Sequence, residues 1–251
     1  MADTYKTEGI ILRRWDYKEV DRMFRILTKD YGKLTARAIS CRKHGAKLAG
    51  HLEPFIHTDL FIANSRTIDI IAGSNIIGAN TTLRRSLLHS AAASFFSEVV
   101  DRLTEEDDAD PRLFGHVLGF YEWLNANAPN ALALYAAILQ LLGILGYHSE
   151  LYYCHQCRRA LSESTNKYHY KLWSAECANC ASEDDTAELD ERTIKVVRFL
   201  NEQPYEEAAK LKLDCEEWLA VDRFVRSLLH YNIEYDLRSE EVYRSLFRSV
   251  C

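Results

Sequence analysis

The stretch "EGIILRRWDYKEVDRMFRILTKDYGKLTARAIS", residues 8–40, strings together short runs rich in Ile, Leu, Thr and Phe and breaks at the turn signal Asp30-Tyr31-Gly32. Runs of that length and composition, bounded by turn residues, are strands. "FIHTDLFIA" (55–63) and "TIDIIAG" (67–73) continue the pattern across a second turn signal at Asn64-Ser65. Residues 5 to about 72 therefore supply five short strands, enough to close a small barrel and so remove its exposed edges. An oligonucleotide-binding (OB) barrel is the natural candidate at this size, and an SH3-like barrel would show much the same pattern.

Beyond about residue 80 the period becomes helical. Leu83, Leu87, Ala91, Phe95, Val99 and Leu103 recur every four residues and predict one amphipathic helix. The acidic run "TEEDDADP" ends it, and Pro111 can open a helix over 111–125. Pro129 opens an apolar helix over 131–146, read as a buried core helix because its apolar run is interrupted by Gln140 and short for a bilayer, which takes about 20 residues. Further helices are predicted near 189–202, 205–212 and 215–231, the last begun by Asp214 and Glu217 at capping-box spacing. The opening "MADTYKTEGIILRRWDYKEV" lacks the pattern of a secretory signal, so a cytoplasmic protein is expected.

Seven cysteines, an odd number, fit reduced thiols and a metal site better than a disulfide framework. Cys154 and Cys157 in "LYYCHQC" share their spacing with Cys177 and Cys180 in "ECANC", nineteen residues on. That spacing predicts one tetrahedral zinc ion on a loop whose "NKYHYKLWS" returns the chain as a hairpin. Four cysteines leave no position for an activated water, so the ion is a brace rather than a catalyst. His155 and His169 are solvated neighbours in this reading. Cys41, Cys215 and Cys251 stand alone, as small apolar residues.

Enzyme motifs are missing. "GSNIIGAN", 73–80, has the two glycines of a P-loop but Ala79 and Asn80 where Lys and Ser or Thr must stand. No Gly-x-Gly-x-x-Gly, Gly-x-Ser-x-Gly or His-Glu-x-x-His occurs, and no catalytic residue is assigned.

Charge is more informative. Residues 1–50 carry twelve Lys and Arg against six Asp and Glu, leaving 19 against 31 for the rest. Such asymmetry suggests a polyanion partner at the basic end. Arg13, Arg14, Arg22, Arg25, Lys29, Lys33, Arg37, Arg42, Lys43 and Lys47 are interleaved with Trp15, Tyr17, Phe24 and Tyr31. Single-stranded nucleic acid is held in this way, by cations on phosphates and aromatic faces under bases. Phe24 is expected in the barrel core. "CRKHGAKLAG", 41–50, reads as a mobile basic loop freed by Gly45 and Gly50.

Taken together, Gly9 to Phe55 resembles the N-terminal signature of the RecO family of DNA repair proteins, and "LGILGYHSELYYCHQC" with "CANC" resembles that family's zinc-bearing helical half. The most specific pieces are Asp21-Arg22, Tyr31-Gly32-Lys33, Leu48-Ala49-Gly50, Leu52-Glu53-Pro54-Phe55, and Leu145-Gly146-Tyr147 leading to Cys154. The resemblance spans residues 5 to about 181. It departs at Ile39 and Ser40, where the family usually has Lys and Gly, and at His44, where it has Pro. The expected fold is α+β: a five-stranded OB-fold β-barrel over 1–79, then an α-helical domain over 80–251 with a four-cysteine zinc finger inserted at about 151–181. The resemblance implies a non-enzymatic recombination mediator that binds single- and double-stranded DNA and anneals complementary strands. With RecR and RecF it would help RecA replace single-strand DNA-binding protein (SSB), with no membrane partner, in a bacterial cytoplasm at the nucleoid. The DNA-binding set would be Arg13, Arg14, Arg22, Arg25, Lys33, Arg37, Arg42, Lys43 and Lys47. A rival class is an assembly adaptor with incidental DNA binding; a zinc hydrolase is the weakest.

Overall fold

The five apolar N-terminal runs form strands that close into a barrel in the computed structural model, which describes residues 4–161, 166–181, 186–233 and 236–247. The strands are β1 (Thr4–Tyr17), β2 (Asp21–Thr28), β3 (Gly32–Ala38), β4 (His57–Ala63) and β5 (Asp69–Gly78), ordered β1-β2-β3-β5-β4. All pairs are antiparallel except β3 with β5, where Ala36 and Arg37 meet Asp69 and Ile70 in parallel and complete the ring. Its interior holds Ile11, Phe24, Ile26, Leu34, Ala36, Leu60, Ile62 and Ile71. Phe24 is among them, as its sequence context predicted. Burying such side chains is worth about 1.5–3 kcal/mol each, which fixes the strand register.

Gly32 shows why the Tyr31-Gly32-Lys33 stretch is specific. Its φ is +67°, and a Cβ there would stand 2.3 Å from the backbone oxygen of Asp108. Only glycine lets the start of β3 accept that loop.

Helices α1 (Thr81–Arg85), α2 (Leu87–Leu103) and α3 (Pro111–Ala126) follow. The single amphipathic helix expected from Leu83 onward is broken at Ser86, whose backbone is extended. The break shifts the phase, so Leu83, Ala91, Phe95 and Val99 are buried as predicted while Leu87 is 66% exposed. α3 is capped by the Asp110 side chain accepting from Arg112 N–H, with Pro111 at its first position. A final helix not foreseen from sequence, α8 (Arg238–Leu246), returns to α2: Glu98 accepts from Ser239 N–H at 2.8 Å, and Tyr243 meets Phe95 at 5.4 Å.

Two compact units result: residues 4–129 with Leu237–Phe247, and residues 130–236. The second unit contains α4 (Ala131–Ile144), α5 (Glu191–Glu202), α6 (Tyr205–Ala208) and α7 (Cys215–Asn232). α4 is nearly all buried, as its apolar sequence predicted, and no described helix is long and apolar enough to cross a membrane. α7 begins with the foreseen capping box between Asp214 and Glu217. α6 is one turn rather than the eight residues expected, and nothing in the structure explains its early end. A small antiparallel sheet, order β7-β6-β8, is formed by β6 (Asn166–His169), β7 (Ser174–Glu176) and β8 (Thr186–Leu189). β6 and β7 are the predicted hairpin; β8 was not anticipated. Cys41 is buried, Cys215 is disulfide-bonded where a lone thiol was expected, and Cys251 lies outside the described residues.

Candidate nucleic-acid interface and candidate metal centre

Seven of the nine cations in the predicted DNA-binding set meet a carboxylate of the chain itself. Arg13 Nε lies 2.8 Å from Asp101, Arg25 Nε 3.1 Å and Lys33 Nζ 3.4 Å from the same residue. Arg25 also pairs with Glu106, Arg14 with Glu53, Arg37 with Asp21, and Arg22 and Arg42 with Asp16. Lys43 and Lys47 are exposed and have no ion pair among the described residues.

Burial separates these pairs into two kinds. Lys33 and Asp101 are each about 7% exposed, and the ammonium also donates to the carbonyls of Asp101 and Thr104, holding the end of α2 on β3. Burial lowers the Lys33 pKa, against the opposing pull of Asp101. Its charge is not presented to solvent. Arg14 is turned toward a cavity of about 500 Å³ that it lines with Glu53, Phe55, Arg84 and Glu98. By contrast Asp16 is 55% exposed and serves two guanidinium groups, Arg22 at 3.0 Å and Arg42 at 3.4 Å. Exposed pairs of that kind contribute about 0–1 kcal/mol, so a phosphate can take the place of Asp16.

One rim of the barrel gathers the remaining cations. There the β1–β2 turn, the end of β3 and the following loop come together, because Arg42 N–H donates to Val20 O at 2.9 Å. Lys18, Arg22, Arg37, Arg42, Lys43 and Lys47 lie on these segments against Asp16, Glu19 and Asp21. The half-buried Tyr17 ring has Lys18 at 5.5 Å and Arg37 at 5.4 Å, and Trp15 lies under Arg13 at 5.0 Å. Lys18 was not singled out from sequence. Its place in the two-strand turn "DYKEVD" was the available signal. Tyr31, Lys29 and Lys33 sit at the opposite end of β2, about 25 Å away at ~3.3 Å per residue.

Asp21 fixes the rim. It is buried, accepts from Ser40 N–H at 2.6 Å and from Arg37 Nε at 2.9 Å, and the Ser40 amide first, then Arg37, hold its carboxyl below the ordinary range. Ser40 has φ +55°, the left-handed conformation that glycine adopts without penalty. The glycine usual here in the resembled family therefore has a backbone reason, and the serine keeps the same turn. The loop itself is less free than its glycines suggested. It is a series of tight turns (Lys43 N–H to Ser40 O, Ala46 to Lys43, Ala49 to Ala46) anchored by buried Cys41 and Leu52, with Leu48 packed on the barrel core.

In the second unit the four predicted cysteine ligands converge. All four sulfurs lie within 4.8 Å of one another, and Cys157 and Cys177 are 3.8 Å apart. A tetrahedral ion with sulfur at ~2.3 Å sets its ligands about 3.8 Å apart, so the donor set fits one zinc ion. Cys154 and Cys157 form a knuckle in the hairpin joined by Cys154 N–H to Arg159 O and Leu161 N–H to Tyr152 O. Cys177 directly follows β7, and its N–H donates to Cys154 Sγ at 3.4 Å. Burial alone raises the Cys154 thiol, but N–H groups of Cys157, Cys177 and Gln156 outweigh it and bring it to about 6. Hydrogen bonds to Cys177 and Cys157 push Cys180 up to about 12. Four thiols this close cannot all ionise without a cation among them. Exposed His155 and half-buried His169 are not part of the cluster.

Known families match both parts of the chain. "Recombination protein O N terminal" matches residues 1–80 and "Recombination protein O C terminal" matches residues 84–241. The chain belongs to the RecO family. Among its relatives, DNA repair protein RecO of Roseiflexus sp. (strain RS-1) is 37% identical over 94% of this chain and 83% of its own. The protein of the same name from Dehalococcoides mccartyi (strain BAV1) is 30% identical over 92% of this chain and 91% of its own. That from Thermoanaerobacter sp. (strain X514) is 24% identical over 96% of this chain and 97% of its own. The expected family and the expected barrel-then-helices fold are both found, and the chain is a RecO-family DNA repair protein.

Proposed function

We propose that this RecO-family protein is a recombination mediator that grips the backbones of single- and double-stranded DNA with one rim of its barrel. It would anneal complementary strands and, with RecR and RecF, help RecA displace SSB. Residues 1–79 would be the DNA-contacting domain, and 80–251 the helical domain that meets protein partners in the bacterial cytoplasm. The observation that carries this reading is the rim itself. Exposed Lys43 and Lys47 follow Arg42 on a loop that is pinned by buried Asp21 and bonded through Arg42 N–H to the β1–β2 turn, where Lys18 lies over the Tyr17 ring. Within the predicted set, Arg22, Arg37, Arg42, Lys43 and Lys47 belong to this surface, whereas Arg13, Arg25 and Lys33 are bound to Asp101 and Arg14 to Glu53.

Annealing requires only that two strands be brought together with their charge screened and their bases free. No catalytic residue enters the proposal. The four cysteines would hold one zinc ion that keeps the two knuckles closed.

The test is annealing of SSB-coated complementary oligonucleotides by the wild type and by Lys18→Glu/Lys43→Glu/Lys47→Glu. The expected rate for the variant is lower by roughly tenfold or more, because three phosphate contacts become repulsive. An unchanged rate contradicts the proposal. The neutralised state of seven of the nine cations favours one rival, an assembly adaptor with incidental DNA binding. Partners that survive nuclease treatment, together with an unchanged annealing rate, would select it.

A further inference from the structure

The barrel-bearing unit contains a cavity of about 500 Å³, within the size range of small-molecule sites. All of its walls come from residues 4–129 and 237–247: β1 at Leu12 to Arg14, the turn at 53–55, α1, α2 and the start of α8. On α2 the lining residues Ser90, Ser94, Ser97 and Asp101 recur at helical spacing, so one face of that helix forms a wall.

Charge in this cavity is unbalanced. Arg13, Arg14, Arg84, Arg102 and Arg238 line it against three carboxylates, Glu53, Glu98 and Asp101. Those carboxylates are already committed. Glu53 pairs with Arg14, and Asp101 serves Arg13 together with Arg25 and Lys33, which stand outside the cavity. Glu98 accepts from the N–H and the hydroxyl of Ser239. The described acids that flank Arg238 in sequence, Asp236, Glu240 and Glu241, do not line the cavity.

Arg84 is the informative member. It is half-buried, and its Nη1 donates to Ala79 O at 2.6 Å and Pro54 O at 3.4 Å, yet it meets no carboxylate among the described residues. Burial lowers its pKa, against the pull of Glu53. A guanidinium drawn out of water is ordinarily paired with an anion. Arg238 likewise has no ion pair among the described residues, and the hydroxyls of Ser90 and Ser94 have no hydrogen-bond partner there.

We propose that this cavity binds a phosphate monoester, with its phosphoryl oxygens on Arg84, Arg238, Ser90 and Ser94 and its organic part against Pro54 and Phe55. A terminal phosphoryl group offers three acceptor oxygens to donors that come from three elements, α1, α2 and α8. It also carries close to two negative charges, the excess of arginines over carboxylates in the lining. A carboxylate offers two oxygens and one charge. The inference goes beyond the DNA-binding proposal and uses none of its rim residues. A free nucleotide and the 5′ end of a DNA strand both carry such a group, and the test separates them.

Binding of dTMP, thymidine and succinate to the full chain is measured by titration calorimetry. The wild type is expected to bind dTMP at least about tenfold more tightly than either of the others. Arg238→Ala, at an exposed side chain, and Ser94→Asp, which adds a negative charge to the wall, should each weaken dTMP by about tenfold or more. The rim variant Lys18→Glu/Lys43→Glu/Lys47→Glu should bind dTMP within about threefold of wild type, because screening leaves little interaction between distant surface charges. A 5′-phosphorylated oligo(dT) that displaces dTMP better than its 5′-hydroxyl counterpart identifies the strand end as the source; equal displacement by the two identifies the free nucleotide. No saturable binding of dTMP at millimolar concentration overturns the proposal, as does equal or tighter binding of thymidine or succinate. Wild-type dTMP affinity in both cavity variants, or a loss confined to the rim variant, overturns it too.

Discussion

Stripping the metal from the zinc-loaded protein with a chelator is expected to melt the two cysteine knuckles and to leave the barrel folded. Binding of a structural zinc ion is worth about 10–16 kcal/mol in small zinc-dependent folds, and that energy is folding energy. The sheet it closes is slight: β6 and β8 have four residues each and β7 has three. Sheets of that size are not independently stable. What else holds the region is the buried Tyr168, which meets Phe224 of α7 at 4.9 Å and bonds to Ser149 at 2.7 Å. Exchange of the Cys154, His155, Cys177 and Cys180 amides should therefore rise steeply, Tyr168 less, and the barrel amides not at all. Cys154→Ser should reproduce most of the loss because Cys154 is fully buried and accepts from the second knuckle. Unchanged exchange after complete metal removal would show that the cluster needs no ion.

Asp101→Ala is expected to destabilise the barrel-bearing unit by about 3–5 kcal/mol, the usual cost of removing one partner from a buried charge cluster. Its carboxylate faces Arg13, Arg25 and Lys33. Without it the Lys33 ammonium keeps only two carbonyl acceptors. The Arg25 Nε, buried and 3.1 Å from Asp101 without hydrogen-bond alignment, loses its counter-charge. The partner substitution separates charge from packing. Asp101→Leu/Lys33→Met should be markedly less destabilised than Asp101→Ala, because it leaves one fewer buried charge unpaired. Protection of β3 amides in increasing urea reads both, and equal stability of Asp101→Ala and wild type would remove Asp101 from its place in the fold.

The same cluster marks the limit of what could be read from the chain. Strands and the four thiols were legible because their signals are local: short runs rich in Ile, Leu, Thr and Phe bounded by turn residues, a two-residue gap between cysteines, and Asp214 three residues before Glu217. The fate of the barrel cations was not. Asp101 lies 68 residues from Lys33, and Glu106 lies 81 from Arg25, so no window of sequence shows that they neutralise each other. Lys33 looked like a phosphate ligand and is a buried clasp. Lys18 looked unremarkable and stands on the rim. The break at Ser86, which turns Leu87 outward, and the return of α8 to α2 are likewise set by tertiary packing rather than by local preference.

The central claim, that cations at the barrel rim hold DNA by its phosphates, is tested most directly by the salt dependence of binding. Kd for labelled single- and double-stranded oligonucleotides would be measured from about 50 to 200 mM salt with the wild type and the Lys18→Glu/Lys43→Glu/Lys47→Glu variant. If Lys18, Arg42, Lys43 and Lys47 each neutralise one phosphate, duplex affinity falls with a log–log slope near about −3.6, roughly a hundredfold over that range, and the slope of the variant, which keeps Arg42, shrinks to about −0.9 or less in magnitude. Affinity that ignores salt in the wild type, or a slope untouched by the three substitutions, would contradict it.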